Sequence, residues 1–400
     1  MKRIAFVNQR YGTEVNGGSE YYTRLMAERL ADRYEVEVLT TRALDYVTWE
    51  NYYENDTEII NGVLVRRFKT DKKRAADFNA YNEKYLSCLA KTGGDTAKEK
   101  IWFEKQGPVS SEFMEYIRSN SDKYDVFIFV TYLYYLTVMG LPEVSGKAIL
   151  IPTAHEEPYI HFRCYRDFFR LPSGFIFLTD EEKELVHGLF DNADISWDVM
   201  GTGVDVPAKI DPESFKKRHG LDRYIIYVGR IDEGKNCPLL FRYFSEYKKR
   251  TGDDLKLVLM GKPVCDIPES EDIISLGFVS EQEKFDGIAG AQMLVLPSRF
   301  ESLSISVLEA MSLGVPVLVN GMCDVLKGHC IKSNGGLYYM NYFEFEGCLG
   351  YIRKNPRDLL AMGDNAEEYI EKNYRWDVIT DRFSAFIEKT SSKSTERNVL

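Results

Sequence analysis

The chain lacks several signatures, and each gap narrows what it can be. Seven cysteines (Cys88, Cys164, Cys237, Cys265, Cys323, Cys330, Cys348) are odd in number and scattered, with no C-x-x-C. That excludes a disulfide framework or a zinc ribbon and reads as reduced, mostly buried thiols of a cytosolic protein. There is no basic excess. The net charge is −11, with 25 Lys+Arg against 32 Asp+Glu in 1–200 and 26 against 30 in 201–400, which argues against nucleic acid as a partner. The opening "MKRIAFVNQRYG" has a charge pair and then a strand-length apolar run, unlike a signal peptide. The longest uncharged stretch, "VFIFVTYLYYLTVMGLP" (126–142), begins β-branched and aromatic, so a buried strand followed by a helix is expected in place of a membrane span. No G-x-G-x-x-G follows the first strand, which disfavours a nicotinamide-dependent dehydrogenase.

What is present is material for two cores. With 400 residues, 44% hydrophobic and 28% charged, two domains of roughly 200 residues are expected. "RIAFVN", a glycine-bearing loop, a helix over "SEYYTRLMAERLADR" and "YEVEVLT" form a βαβ unit, and "DVFIFV", "AILIPTA" and "GFIFLTD" are further buried strands. A second set runs through "RYIIYVGR", "LKLVLMGK", "QMLVLPS" and "VPVLVN", with a hinge near 199–207. The expected fold is therefore α/β with two Rossmann-like, doubly wound domains. The first spans 1–200 and the second 201–375, with a helix at 376–390 returning to the first and a flexible tail at 391–400.

In such sheets ligands sit at the carboxyl ends of the strands. Four strand-end loops carry candidate residues. "NGGSE" offers Gly17 and Gly18 at a helix start, or a turn touching no ligand. "PTAHEEP" offers His155, or a structural histidine. "YVGRIDEGKN" offers Arg230 and Lys235, or two surface charges. "RFESLSISVLEAM" offers Glu301, Glu309 and the amides around Ser302, Leu303 and Ser304. Ser306 and Glu309 have the spacing of a capping box, which predicts a helix beginning at Ser306 and gives Glu309 a purely structural alternative. The basic run "RRFKTDKKR" (66–74) is a solvated loop, or a contact for an anionic membrane surface or acceptor.

Together these motifs resemble the retaining family-4 glycosyltransferases of the GT-B fold. "RFESLSISVLEAM" looks like the E-x7-E signature, "YVGRIDEGKN" the G-R-x4-K loop, "FVNQRYGTEVNGGSE" the glycine-rich first loop, and "VMGTGVDVP" the hinge element. "LGFVSEQEKFDGIAGAQMLVLPSRFES" follows that family's run from base-binding turn to signature. The resemblance implies two domains facing across a cleft and transfer of a sugar, with retention, from a nucleotide-diphosphate donor to a glycan or lipid-linked acceptor. The setting implied is cell-surface polysaccharide or glycoconjugate assembly in the cytoplasm, with peripheral contact at the inner membrane face left open. It implies catalytic roles for Glu301, His155, Arg230 and Lys235. Gly17, Gly18, Ser302, Leu303 and Ser304 would meet the phosphates, Val279 the base and Glu309 the ribose. Neither metal nor other cofactor is implied. Serines at 302 and 304, where the family commonly has glycine, and Ser306, where it has proline, depart from the pattern. The alternative is a non-catalytic sugar-nucleotide-binding subunit of the same fold. An epimerase or a pyridoxal-type phosphorylase would require acid/base or Schiff-base residues that the sequence does not display.

Overall fold

The computed structural model describes residues 1–15 and 17–397. The chain divides into two compact units: Met1–Thr202 together with the stretch from Ile379 onward, and Gly203–Val378, against the expected divisions at 200/201 and 375/376.

The first unit is built on an eight-stranded sheet of β1 (Arg3–Val7), β2 (Glu35–Thr41), β3 (Thr57–Ile60), β4 (Val63–Phe68), β5 (Val126–Val130), β6 (Ala148–Ile151), β7 (Gly174–Phe177) and β8 (Ser196–Val199). Their order is β3-β4-β2-β1-β5-β6-β7-β8, parallel throughout except for the β3–β4 hairpin. Strands β1, β5, β6 and β7 are near-continuously buried, as expected of a parallel sheet covered on both faces. The stretch 126–142 does divide into strand β5 and the helix Tyr135–Gly140, running on into a 3-10 turn. Aromatic packing fills one face; the rings of Phe169 and Phe190 stack at 4.2 Å.

The second unit has a six-stranded, all-parallel sheet of β9 (Tyr224–Val228), β10 (Lys256–Met260), β11 (Ile273–Gly277), β12 (Leu294–Leu296), β13 (Val317–Asn320) and β14 (Gly336–Tyr339). The order is β11-β10-β9-β12-β13-β14. Connections leave β9 toward β10 on one side, while β12 lies on the other, so the strand order reverses between β9 and β12. The crevice at such a switch point is where open α/β sheets bind ligands.

The last helix, Trp376–Arg397, starts in the second unit, where Gly203 has no side chain to obstruct the Trp376 ring. It ends in the first, where Phe383 stacks on Phe6 and Asp381 pairs with Arg33 at 2.7 Å. Where a flexible tail from 391 was expected, the helix continues to Arg397; the expected tail at 398–400 lies outside the described residues. Two further corrections concern local structure. Arg66 and Arg67 of the basic run lie on β4, paired to Glu37 and Glu58, and are not part of a loop. Of the seven cysteines, Cys237, Cys323 and Cys330 are buried and the other four half-buried. No described helix is long and apolar enough to cross a membrane.

Candidate functional site

The loops following β9 and β12, on either side of the switch point, meet. Lys235 Nζ donates to Glu301 Oε1 at 2.6 Å, with the lysine partly exposed and the carboxylate largely buried. Asp232 organises the same loop. It accepts from the Lys235 main chain at 2.7 Å and holds Arg230 Nε at 3.0 Å, leaving the Arg230 side chain 42% exposed. Asn236, the cap of the helix Cys237–Thr251 that follows β9, and Asn320, at the end of β13, both donate to the Pro297 carbonyl, at 3.1 and 3.0 Å, and so fix the backbone just ahead of Glu301. Glycine is required close by. A side chain on Gly261 would stand 1.8 Å from the Gly229 carbonyl, because the loops after β9 and β10 cross there.

The signature helix runs Ile305–Ser312 and therefore starts one residue before the expected Ser306. The capping box does not form: Ser304 occupies the cap without a side-chain hydrogen bond, and Ser306 lies inside the first turn. Ser304 adopts φ 69°, ψ 84°, a left-handed backbone that glycine takes without strain and a serine does not. Leu303 is buried, and its carbonyl accepts from His329 Nε2 at 2.8 Å. Burial holds the His329 imidazole neutral, its pKa pushed down to about 4. Glu309 is buried and bonded through Oε1 to Lys284 Nζ at 2.7 Å. Burial raises the Glu309 carboxyl pKa despite that lysine. Lys284 belongs to the helix Glu281–Ala289, whose cap, Ser280, immediately follows Val279. The turn at Val279 and the helix Ile305–Ser312 are thus tied together by a buried ion pair that sequence spacing alone did not disclose.

Gly17, Gly18 and His155 belong to the first unit. Gly17 caps the helix Gly18–Leu30 in extended backbone, and a Cβ there would run into the Glu20 carboxylate, 2.2 Å away; one on Gly18 would meet open space. Glu20 is nearly fully buried and accepts from Arg10 Nε at 2.9 Å, Gln9 at 3.0 Å and Ser19 at 2.8 Å. The first turn of this helix already faces a carboxylate, a favourable match to its dipole. The sequence showed Glu20 in "NGGSE", but its buried pairing with Arg10 depends on the fold. His155 is half-buried in the loop after β6, its Nδ1 3.6 Å from Glu157, which accepts a hydrogen bond from Tyr132 at 2.7 Å. Just before it, Thr153 has φ 52°, a costly conformation for a β-branched residue. That loop is braced by fully buried Glu182, which accepts from the amides of Ala154 and Leu178, both at 2.6 Å. Burial pushes the Glu182 carboxyl up to about 8, against main-chain donors that favour its ionised form. Among the described residues no three His, Cys, Asp or Glu side chains converge as metal ligands would.

The family model for Glycosyl transferases group 1 matches residues 222–337, the span containing Arg230, Lys235, Val279, Glu301 and Glu309. Over that span the chain is similar to the group 1 glycosyltransferases. Its two-sheet architecture is that of the GT-B glycosyltransferases. It is similar in fold to the Anabaena protein HepE solved with UDP-glucose, at a TM-score of 0.70 and 13% identity, covering 97% of this chain and 100% of that one. Among curated relatives, the MMP alpha-(1->4)-mannosyltransferase of Mycolicibacterium hassiacum is 23% identical over 47% of this chain and 48% of its own length. The N-acetylgalactosamine-N,N'-diacetylbacillosaminyl-diphospho-undecaprenol 4-alpha-N-acetylgalactosaminyltransferase of Campylobacter jejuni is 30% identical over 24% of this chain and 27% of its own. The matched stretches thus span about half or less of these curated relatives.

Proposed function

We propose that this protein is a retaining glycosyltransferase that moves a sugar from a nucleotide-diphosphate donor to a hydroxyl acceptor in polysaccharide or glycoconjugate assembly. The observation that carries the reading is the Lys235–Glu301 contact at the β9/β12 switch point, inside the span that matches the group 1 family. Lys235 and the exposed Arg230 would hold the diphosphate and stabilise the charge growing on it as the sugar departs. Amides around Ser302, Leu303 and Ser304 at the helix start would share that load. With the phosphates drawing on Lys235, Glu301 would turn to the donor-sugar hydroxyls. Lys284 holds Glu309 Oε1, so the other carboxylate oxygen would serve the ribose. Val279 would meet the base through its main chain. Gly18, with open space before it, would approach the phosphate, and His155 would position the sugar.

In this mechanism the acceptor hydroxyl attacks on the face the diphosphate leaves, and the leaving phosphate takes its proton. No protein nucleophile is needed, and the two cations meet the charge a metal would otherwise neutralise. The donor is proposed from likeness to a protein solved with UDP-glucose, and a lipid-linked acceptor from the diphospho-undecaprenol in the Campylobacter relative's name.

A thermal-shift panel of nucleoside diphosphates and their sugars tests the reading, since a ligand that binds the native state raises the melting temperature by mass action. One base is expected to stand out, with a smaller shift in Lys235→Ala. Turnover with the matching donor should give a product whose anomeric proton, by NMR, shows the donor's configuration. An inverted product would overturn the mechanism, and binding without turnover would favour the non-catalytic subunit.

A further inference from the structure

The first unit contains an arginine with no anion. Arg10, Arg66 and Arg67 are all drawn out of water to some degree, and each has a carboxylate: Glu20 at 2.5 Å, Glu37 at 2.6 Å and Glu58 at 2.6 Å. Arg74 ends the same basic run and is half-buried, yet no side-chain donor of its guanidinium meets an acceptor within hydrogen-bonding reach among the described residues. Its Nε is fully sequestered and unsatisfied. The guanidinium lies 5.7 Å from the Trp49 ring and 5.1 Å from the Phe78 ring. Burial lowers its pKa; the groups acting in the other direction are, in order, Tyr134, Tyr46, Asp45 and Tyr159. Asp45, the one carboxylate among them, is engaged by the Thr48 amide at 2.8 Å and the Thr48 hydroxyl at 2.9 Å.

The setting is rigid. Trp49 is fully buried at φ 59°, an outlying conformation for a bulky residue. It is held there by its indole N–H on the Gln106 carbonyl at 2.5 Å and by Thr70 Oγ1 on its own carbonyl at 2.8 Å. The Arg74 amide donates to the Thr48 carbonyl at 2.9 Å, so the loop bearing the arginine is stitched to the loop bearing the rings. Tyr159 accepts from Asn82 at 3.2 Å, which leaves its own O–H able to donate. A half-buried guanidinium with its Nε sealed from water and unsatisfied, set against fixed aromatic rings, turns a planar fork of donors to whatever reaches it, and that fork matches an oxyanion.

We infer that Arg74, held over the Trp49 and Phe78 rings, binds a compact oxyanion, phosphate or carboxylate, carried by the acceptor. This rests on the transferase reading for the word acceptor; the anion site itself stands on the geometry around Arg74.

Calorimetric titrations of the full chain, with its donor site saturated by the nucleoside diphosphate giving the largest thermal shift, test the inference. The probes are glucose 6-phosphate, glucuronate and glucose. At least one anionic sugar should bind more tightly than glucose, and the two anionic arms separate phosphate from carboxylate recognition. Arg74→Gln should weaken that binding about tenfold or more, the worth of one charged hydrogen bond, and leave glucose unchanged. Arg74→Lys keeps a charge over the rings without the fork, guards against misfolding of the first variant, and should weaken it several-fold. If the wild type does not distinguish anionic sugars from glucose, or if folded variants bind them as the wild type does, Arg74 serves only to pack the rings and the inference is overturned. Should no nucleoside diphosphate bind, the transferase reading fails separately, and the same titrations are read in Lys235→Ala.

Discussion

In the Gly203–Val378 unit, each candidate carboxylate has a lysine from a neighbouring element: Lys235 for Glu301 and Lys284 for Glu309. In the first unit the corresponding carboxylates brace the fold. Glu20 is locked to Arg10, Glu182 is held by main-chain amides, and Glu157 rests on the Tyr132 hydroxyl. The half-buried Arg74 there is left over, with aromatic rings and no carboxylate. A lysine–carboxylate contact between loops is one that a phosphate and a sugar hydroxyl can divide between them. A carboxylate buried on backbone amides offers a ligand nothing, but it fixes where the next residue sits.

The contrast can be tested where it is greatest. Lys284→Met strands Glu309 without its counter-charge in a buried setting and should cost about 3–5 kcal/mol in denaturant unfolding. Adding Glu309→Gln should recover much of it; a double variant no more stable than the single would mean the pair is not coupled.

The next effect depends on pH. His329 is held neutral, with a folded pKa of about 4 against about 6.5 unfolded, so the unfolded chain binds the extra proton between those values. Stability from this residue is complete above about pH 6.5 and is lost as pH falls toward 4, by at most about 3 kcal/mol. His329→Gln should flatten that part of the pH–stability curve.

In the first unit the paired glycines should part company. Gly17→Ala drives a methyl into the Glu20–Arg10 pair and should cost about 1–3 kcal/mol, while Gly18→Ala should move the melting temperature little. Equal effects would mean that Glu20 is not fixed. The smallest effect has the opposite sign: Ser304→Gly relieves a left-handed serine and should gain roughly 0.5–1 kcal/mol in thermal unfolding.

The two units also differ in how far they could be read from sequence. In the second, Arg230 and Lys235 lie in one loop, and Glu301 and Glu309 flank the start of one helix, so local motifs carried the residues that the fold then places together. Even there, Lys284 stands 25 positions from Glu309, and nothing local marks the pair. The capping-box reading failed because Glu309 spends its charge on that lysine while Ser304, in a backbone unusual for serine, takes the cap. In the first unit, Trp49 and Arg74 come from separate loops, and only the sheet order brings them together. The β3–β4 hairpin is legible in the sequence: Asn61 and Gly62, at φ 48° and 85°, are the pair a tight two-residue turn requires. That turn puts Arg66 and Arg67 on a strand, apart from Arg74.

The most direct test is a titration of the 15N-labelled protein with the nucleotide-sugar selected by thermal shift, following backbone amides. The largest changes should fall on residues 229–236 and 299–306, with a second group around Val279. If the amides that move lie elsewhere and those of Lys235 and Glu301 stay still, the donor does not bind at the β9/β12 switch point, and the assignment is wrong.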